Sequence, residues 1–461
     1  MIATVEKVAV VKAADAMAEV AALFLRLLPH EFFGQVRGNL DLRRNRCVYT
    51  DCVVMWLMIT QRWQGNGTLV SGVLEMLRGL SLSFWAEPCA RLRVGPDGKR
   101  RRLSSNTGSY NEARQRLPAG VVEACCEEVS KRLIEAMPPG RRVYFVDGTS
   151  VRTPNRPALS QMYPPASNQH QESHWPVIRL LVAHDVETAL ALRPAWGPMY
   201  GPQAVSEQAL LEQVIERVPG DAILLGDCNF GVFSVAYAAT RRKHPVVLRM
   251  TPVRAKSMAG QELKDGLTKT ITWRPSRSDQ RAHPELSADA CVPGRLIAQQ
   301  VQPSDGSKPF LLTLFTTLPD SDEEVIQLYG KRYSIELDLR TLKSTLQLEQ
   351  LTSTSPQMVA KEIEIAMLAY NLVRAIICTA AAKAGLGPRQ FSFTRVQKVI
   401  EAFTPLIAAA AAAGDAALSE ELLEKMMYYV GQAKLPKRNR KKNSYQRAAW
   451  GRPRVYPKPS K

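Results

Sequence analysis

Four polar residues in the second half of the chain, Tyr329, Arg332, Glu336 and Lys343, have a spacing that a single helix would align. At about 100° per residue, Arg332 lies roughly 60° from Tyr329, and Glu336 and Lys343 return to within about 40° of it. The resulting face carries a carboxylate flanked by cations, which suggests a metal ligand beside a chain of phosphates. An ordinary solvated helix face has the same pattern, so the spacing needs support from elsewhere in the chain.

Two aspartates follow apolar runs that are typical of strands. Asp147 comes directly after residues 143–146, and Asp227 comes directly after residues 222–226. Functional sites in open α/β sheets gather where strands end, so we expect both carboxylates to project from strand ends. An isolated aspartate after a strand is more often a turn former or a helix cap. Together with Glu336, however, the two aspartates predict three carboxylates that converge from distant parts of the chain.

Three carboxylates held close together repel one another and raise each other's pKa unless cations neutralise them. Mg²⁺ and Mn²⁺ prefer oxygen ligands and would do so. Two such ions about 3.5–4 Å apart can activate an attacking oxygen and stabilise the leaving oxygen when a phosphodiester is displaced. Arg332 and Lys343 would then hold nearby phosphates. The constellation therefore predicts metal-dependent phosphodiester chemistry.

The composition is typical of a soluble globular protein with a polyanionic partner. The 461 residues, 45% hydrophobic and 23% charged, are too many for one simple core and predict two or three domains. A net charge of +18 favours a partner such as nucleic acid, because each Lys or Arg that contacts a phosphate releases condensed counterions. The eight cysteines have no paired CxxC spacing, which argues for reduced thiols and against a zinc site.

The N-terminal segment does not resemble a signal peptide, because charged residues interrupt positions 1–28. No window has the uninterrupted apolar length of a membrane span. The sequence also lacks a GxSxG elbow and an HExxH pair, so serine-hydrolase and zinc-protease chemistry find no support. We therefore expect a cytosolic protein with no membrane partner.

The first third of the chain, which must support the site, has a helical pattern. Apolar periodic runs at 52–63 and 68–80 lie on either side of Gly65 and Gly67. Two short helices across a glycine turn resemble the framework of small DNA-binding domains, although most such pairs are only packing units. The basic stretch 91–102 that follows is either a solvated loop or a phosphate contact.

From residue 142 the pattern becomes that of a mixed α/β sheet, in which consecutive strands are followed by strands joined through helices. Residues 251–308 break this pattern and predict a β-rich insertion. The predicted strands are 143–146, 177–184, 189–193, 222–225, 246–250, 268–273, 294–301 and 310–316, and the predicted helices of this region are 206–218, 232–242 and 329–343.

The C-terminal quarter begins with a long apolar helix predicted at 362–381. The alanine run 408–413 is compatible with a helix and is interpreted as a spacer. Residues 434–461 carry eleven basic side chains and no acidic one. Such a tail cannot bury a core, so we predict that it is disordered until it meets an anion.

The helix pattern around Glu336 resembles the signature of the DDE transposases of the insertion sequence 4 family, which reads Tyr-x2-Arg-x3-Glu-x6-Lys. It is matched without a gap by Tyr329, Arg332, Glu336 and Lys343. The contexts Asp147-Gly-Thr and Gly-Asp227 are in keeping with the first and second aspartates of that family. The resemblance covers nearly the whole chain, and the glutamate helix is its most specific part.

The resemblance implies an α/β fold with an RNase H-like catalytic core, a β-rich insertion and a preceding helical N-terminal domain that reads terminal inverted repeats. The expected divisions are a helical DNA-binding domain at 1–138, the core in two parts at 139–250 and 310–400, the insertion at 251–309, a helical segment at 401–433 and the basic tail at 434–461.

The implied reaction is hydrolytic nicking at the end of the element, followed by attack of the freed 3′-OH on a target phosphodiester. Asp147, Asp227 and Glu336 would be the catalytic ligands of two Mg²⁺ ions, with Mn²⁺ as a substitute. Tyr329, Arg332 and Lys343 would hold DNA. The implied partners are double-stranded DNA, as inverted repeats and as target, and a second protomer in a synaptic homodimer. The implied location is the cytoplasm, at the bacterial nucleoid.

Some members of that family flip a base onto an aromatic residue, and Trp273 in the insertion is a candidate for this role, although a strand tryptophan is more often a core residue. The chain departs from many relatives at Tyr333, Cys228 and Asn229, which leaves the expected metal ligands intact. Two alternatives stay open. One is a sequence-specific DNA-binding protein that keeps the core only as a scaffold, and the other is a simple nuclease of the same fold.

Overall fold

A computed structural model describes residues 20–38, 47–65, 67–93, 102–167, 172–287, 289–302 and 308–436. Most of the basic stretch predicted at 91–102 and nearly all of the basic tail lie outside these residues. The N-terminal region contains helices α1 (Val20–Leu27), α2 (His30–Arg37), α3 (Asp51–Trp63), α4 (Leu69–Arg78), α5 (Gly108–Arg116) and α6 (Ala119–Glu135).

The two helices predicted on either side of the glycine turn are α3 and α4. Each begins after a threonine whose hydroxyl accepts a hydrogen bond from a main-chain N–H three residues later, Thr50 for α3 and Thr68 for α4. Every residue of α3 from Cys52 to Trp63 is buried. A helix buried all round is a core helix, so α3 is a packing unit and does not present a free face to DNA.

The strands form one mixed sheet, ordered β2-β3-β1-β5-β6-β9-β8-β7, with β4 paired to β3. Strand β1 runs antiparallel to β3 and parallel to β5, β5 runs parallel to β6, and the remaining neighbours are antiparallel. The strands are β1 (Val143–Arg152), β2 (Pro165–Ser167), β3 (Glu172–Asp185), β4 (Ala195–Pro198), β5 (Ile223–Gly226), β6 (Val246–Arg249), β7 (Leu267–Trp273), β8 (Val292–Val301) and β9 (Phe310–Thr316).

Helices cover both faces of this sheet. They are α7 (Pro157–Met162), α8 (Glu207–Ile215), α9 (Phe233–Arg241), α10 (Pro252–Ala259), α11 (Arg277–Ala282), α12 (Asp322–Gly330), α13 (Tyr333–Arg340), α14 (Pro356–Ala384), α15 (Phe393–Ala413) and α16 (Ala416–Gln432). Phe145 and Leu225 pack on one face with α13, α14 and the N-terminal helices. Tyr144 and Leu224 point to the other face, where they pack with α8 and α9.

Helix α14 is the central element of the first face. Ser355 caps its first turn, Pro356 occupies the first helical position, and Gly385 ends it with a left-handed backbone. Within the described residues, α14 and α15 are long and apolar enough to cross a membrane by length and composition, although neither is an uninterrupted apolar run. The most apolar window of α14 is 89% buried inside the protein, as expected for a core helix, and that of α15 is 39% buried.

The structure corrects one predicted strand of the sheet. Residues 189–193 were expected to form a strand, but Ala189 has a positive φ of 62° and the segment contributes only an isolated bridge between His184 and Ala191. The strand lies further along, at β4. The predicted insertion contains β7 and β8, which continue the main sheet through β9.

Candidate active site

The sheet register brings Asp147 and Asp227 side by side. The last parallel pair between β1 and β5 joins Phe145 to Leu225, and each aspartate lies two residues further along its own chain. Because side chains alternate along β1, Asp147 shares the face of Phe145, and the Asp227 carboxylate acts electrostatically on Asp147 and on Tyr329, which packs on that face. Neighbouring strands are about 4.8 Å apart where they pair, and the influence of the Asp227 charge on Asp147 shows that the two acids stay near each other beyond the last pair.

Only one of the two aspartates lies where a strand ends. Asp227 follows the last residue of β5, as predicted, but Asp147 lies inside β1, paired with Val182 of β3. The prediction for Asp147 was wrong because residues 147–152 look like a polar turn in sequence, whereas antiparallel pairing with β3 extends the strand to Arg152. The site therefore lies at the point along β1 where the parallel pairing with β5 has ended and the antiparallel pairing with β3 continues.

The environment of Asp147 disfavours a negative charge. Burial, followed by the nearby Asp227 carboxylate, raises the pKa of Asp147 from 3.8 to about 6. The carboxylate of Glu207 acts in the same direction, while a hydrogen bond of 2.8 Å from the Gly148 N–H and the charge of Arg332 oppose the rise. An additional cation at this position would relieve the repulsion.

The segment that carries Glu336 is not the straight helix that the spacing predicted. Helix α12 ends at Gly330, and the main-chain N–H of Arg332 donates to the Tyr329 carbonyl at 2.9 Å, a bond that tightens the turn. Helix α13 then carries Glu336, and residues Thr341–Thr345, including Lys343, form a wider π-helical turn. The four signature residues are thus distributed over α12, a tight turn, α13 and a π-helical turn.

Arg332 links the glutamate to the aspartates. Its guanidinium forms an ion pair of 3.1 Å with Glu336, lies 5.8 Å from the centroid of the Phe145 ring, and acts electrostatically on Asp147. The side chain of Glu336 is 48% exposed, so this pair is open to solvent. Within the described part of the chain, no group of three His, Cys, Asp or Glu side chains is close enough to hold a metal ion. In this structure Glu336 is therefore bound to Arg332 and does not join the two aspartates in one cluster.

The other signature residues differ in exposure. Tyr329 is 5% exposed, and its hydroxyl has no hydrogen-bond partner among the described residues. Burial raises the pKa of Tyr329, while the charges of Arg332 and Arg249 oppose that rise. Lys343 is partly exposed on the π-helical turn.

Sequence reasoning missed a buried ion network behind Glu336. Asp338 is fully buried and accepts hydrogen bonds from Arg374 of α14 at 3.1 Å and from Arg389 at 2.9 Å. Burial lowers the pKa of the adjacent His184 to about 4, so this histidine is neutral at pH 7. The network fixes α13 against α14 and the end of β3. A lone aspartate between leucines was its only sequence signal, and its partners are 36 and 51 residues away.

Sequence reasoning also missed Glu207, the first residue of α8. Its carboxylate lies against Gly148 and accepts a hydrogen bond from the side-chain amide of Asn229. No motif drew attention to it, because it is about 60 residues from Asp147 and 20 from Asp227.

Trp273 does not fit the predicted base-stacking role. The side chain is 7% exposed, and its ring packs edge-on against Phe315 at 4.9 Å and against Phe233 at 5.9 Å between centroids. These contacts belong to the face of the sheet opposite the acids. In this structure Trp273 is a core residue, which was the alternative reading of a strand tryptophan.

Comparison with known proteins finds related chains. Residues 138–372 match the family model described as a transposase DDE domain, a range that includes Asp147, Asp227, Glu336 and Lys343. The chain is 28% identical over 299 residues to the transposase InsG for insertion sequence element IS4 of Escherichia coli (strain K12), a match that covers 61% of this chain and 64% of that protein. It is also 25% identical over 146 residues to the putative transposase InsZ of the same strain, covering 30% of this chain and 48% of that protein. Each match spans less than two thirds of the relative.

Proposed function

This protein belongs to the family of transposases with a DDE domain, and on that premise we propose that it binds the terminal inverted repeats of an insertion sequence and catalyses metal-dependent DNA cleavage and strand transfer. The observation that carries the proposal is the alignment of Asp147 and Asp227 on one face of the sheet, with Arg332 and Glu336 beside them. Membership of the insertion sequence 4 family is part of the proposal, and the Tyr-Arg-Glu-Lys spacing supports it.

The proposed fold is an RNase H-like core that extends from residue 139 to 400 around an insertion at 251–309, preceded by a helical DNA-binding domain at 1–138. Support comes from the strand order, in which antiparallel β3 and parallel β5 flank β1 and β6 follows β5. The helices α1 to α6 share one hydrophobic core with α14. DNA reading by that region therefore has to use side chains outside the packed surfaces.

The chemistry of the three acids suits a pair of divalent cations, although in this structure Glu336 is paired with Arg332 and not gathered with the aspartates. The donors are carboxylate oxygens, which Mg²⁺ and Mn²⁺ prefer. Burial and, after it, the Asp227 carboxylate raise the pKa of Asp147, and bound cations would favour its charged form. Asp147, Asp227 and Glu336 are the proposed ligands. When bound, the ions would supply activation of the attacking oxygen and stabilisation of the leaving oxygen.

The side chains around these acids have distinct tasks in the proposal. In the proposal, Arg332 releases Glu336 and binds a phosphate oxygen of the donor strand in its place. A guanidinium can bind either group by paired hydrogen bonds. The exchange frees Glu336 to join the aspartates. Lys343 contributes a second cation for the same strand. The hydroxyl of Tyr329 is buried and lacks a partner within the described residues, so in the proposal it donates to DNA only after the same local opening.

The proposed partners are double-stranded DNA, as inverted repeats and as target, and a second copy of the chain in the synaptic complex. The formal charge of +18 supports the first of these, since neutralising DNA phosphates releases counterions. The proposed location is the cytoplasm, in association with the nucleoid.

The test uses purified full-length protein and duplexes made from the DNA that flanks this gene. Asp227→Asn should lower Mg²⁺-dependent cleavage at least about 1000-fold, a loss of about 4 kcal/mol of transition-state stabilisation, while the gel shift of the same duplex stays nearly unchanged. Asp221→Asn is the matched control, because Asp221 is an exposed residue just before β5 and its positive φ of 58° is one that asparagine tolerates. Cleavage that survives Asp227→Asn would refute the assignment.

Two alternatives give different results in the same assay. A catalytically silent DNA-binding protein would shift the flanking duplex without nicking it in either Mg²⁺ or Mn²⁺. A simple endonuclease would nick it but form no strand-transfer product when a target plasmid is added.

A further inference from the structure

The carboxylate of Glu207 occupies space that a side chain at residue 148 would need. A Cβ built on Gly148 would lie 2.8 Å from Cγ of Glu207 and would overlap the carboxylate itself. Gly148 follows Asp147 in β1, so its missing side chain points to the opposite face of the sheet. Gly148 thus leaves space for the Glu207 carboxylate, which lies on the face of the sheet opposite Asp147.

The same carboxylate is tied to the loop that carries the second aspartate. The side-chain amide of Asn229 donates to Oε2 of Glu207, and the main-chain N–H of Asn229 donates to Oδ1 of Asp227 at 2.8 Å. Gln208, the next residue of α8, donates to the carbonyl oxygen of Asn229 at 2.7 Å and to its side-chain oxygen at 3.0 Å. The start of α8 therefore holds the 227–229 turn through both of its first residues.

Glu207 does not have the environment of a surface ion pair. Within the described residues no lysine or arginine forms a salt bridge with it, and its side chain is partly buried. Ser206 caps α8, so the positive end of the helix dipole favours a carboxylate at this first position. The helix end thus compensates a third negative charge near Asp147 and Asp227.

We propose that Glu207 is a positioning residue for both aspartates, because it connects the backbone beside Asp147 to the loop of Asp227 through Asn229. This role rests on the transposase function proposed above. The carboxylate acts from the face opposite the acids, so its effect on the reaction passes through the placement of Asp147 and Asp227 and not through contact with DNA.

The test reverses the polarity of the Glu207–Asn229 hydrogen bond. Asn229→Asp places a second carboxylate next to that of Glu207. The repulsion between the two should displace the 227–229 turn. Adding Glu207→Gln to that variant restores the bond, since the introduced amide can donate to the introduced carboxylate, and the double variant keeps the net charge of the natural chain. Glu207→Gln alone keeps an acceptor for the Asn229 amide and should be mild. Glu216→Gln, on an exposed residue just after α8, is the matched control.

Three readouts on the full-length protein separate the explanations. For Asn229→Asp we expect at least about a tenfold loss of Mn²⁺ affinity by electron paramagnetic resonance, as is typical when support of a ligand is removed, and a parallel loss of single-turnover cleavage. The double variant should recover both to within about threefold, because the coupled pair is restored. Hydrogen exchange at 227–231 should rise in Asn229→Asp and return to normal in the double variant.

The inference is overturned if Asn229→Asp binds Mn²⁺ and exchanges amide hydrogens like the natural chain. It is also overturned if the double variant, folded with an unchanged Tm, is no better than Asn229→Asp. If the natural protein neither binds Mn²⁺ nor cleaves the flanking duplex, the proposed function fails. Hydrogen exchange at 227–231 still decides in that case whether Glu207 positions the loop.

Discussion

The two aspartates and the glutamate are held in different ways. Asp147 is placed by the antiparallel pairing of β1 with β3, and Asp227 by the turn after β5, where its carboxylate accepts a hydrogen bond from the Asn229 main-chain N–H. Glu336 lies on a helix of eight residues, α13, which is preceded by a tight turn and followed by a π-helical turn. The aspartate half of the site is set by the backbone, whereas the glutamate half depends on side chains.

The buried ion network explains how so short a helix keeps its orientation. Asp338 lies two residues after Glu336 and is held by Arg374 and Arg389, while Glu336 itself is half exposed and, among the described residues, bound to Arg332 alone. The same helix therefore has a fixed inner side and an adjustable outer side. From this difference we expect that, in the proposed mechanism, the Glu336 side of the site adjusts when DNA binds while the aspartate side stays in place.

The largest effect is expected when the anchor of the glutamate half is removed. Asp338→Ala leaves the Arg374 and Arg389 guanidiniums without their carboxylate in a buried position, which should cost about 3–5 kcal/mol of the free energy of unfolding. Urea unfolding followed by tryptophan fluorescence measures this loss. Asp320→Ala is the control, because its side chain is 42% exposed and its loss should change stability by less than about 0.5 kcal/mol. Equal losses in the two variants would mean that the network does not hold α13.

A smaller effect is expected when the aspartate half is disturbed. Gly231→Ala would bring a Cβ against the main-chain carbonyl of Arg249, so the loop after Asp227 must shift, at a cost of about 1–3 kcal/mol. Cleavage of the flanking duplex should fall more than stability does, since Asp227 moves with the loop. Gly220→Ala, where a Cβ meets no atom within 4 Å, is the matched control. If both variants cleave alike, the loop does not fix Asp227.

The smallest effect, and one of opposite sign, is expected for Asp147→Asn in the presence of a chelator. The folded-state pKa of Asp147 is about 6, above its ordinary 3.8, so the folded protein binds more protons than the unfolded chain between these values. Stability contributed by this group is therefore lost as the pH rises from about 4 to 6. Because Asp147 is only partly buried, we expect the asparagine variant to gain about 1 kcal/mol at pH 7.5 and less at pH 4. Melting temperatures against pH measure the difference, and a variant that melts lower at pH 7.5 would contradict the sign.

Much of the sheet was accessible from sequence because its strands are short apolar runs. Five of its elements, including β5 directly before Asp227, were expected close to where they lie. The extension of β1 beyond Asp147 was not expected from the sequence. Residues 147–152 look like a polar turn, and only their pairing with β3 makes them a strand. The run at 189–193 was wrongly predicted to be a strand because it is apolar. In the structure it begins with a turn at Ala189 and forms only an isolated bridge.

The glutamate half was harder to predict. Spacing selected Tyr329, Arg332 and Glu336, but a straight helix was assumed, and Gly330 was the one local signal that α12 ends there. The partners of Asp338 and Glu207 lie on other elements, so no local pattern could reveal them. The assignment of Asp147, Asp227 and Glu336 as metal ligands stays a prediction.

The Arg332–Glu336 ion pair bears on how the chain folds and when it becomes competent for the proposed reaction. A guanidinium already offsets part of the negative charge among the acids, so we expect the chain to fold without a bound ion. Small zinc-dependent domains differ in this respect, because they unfold when their metal is chelated. In the proposed mechanism, a newly synthesised copy would reach its final shape in a cell poor in free cations and would become competent only after DNA competes for Arg332.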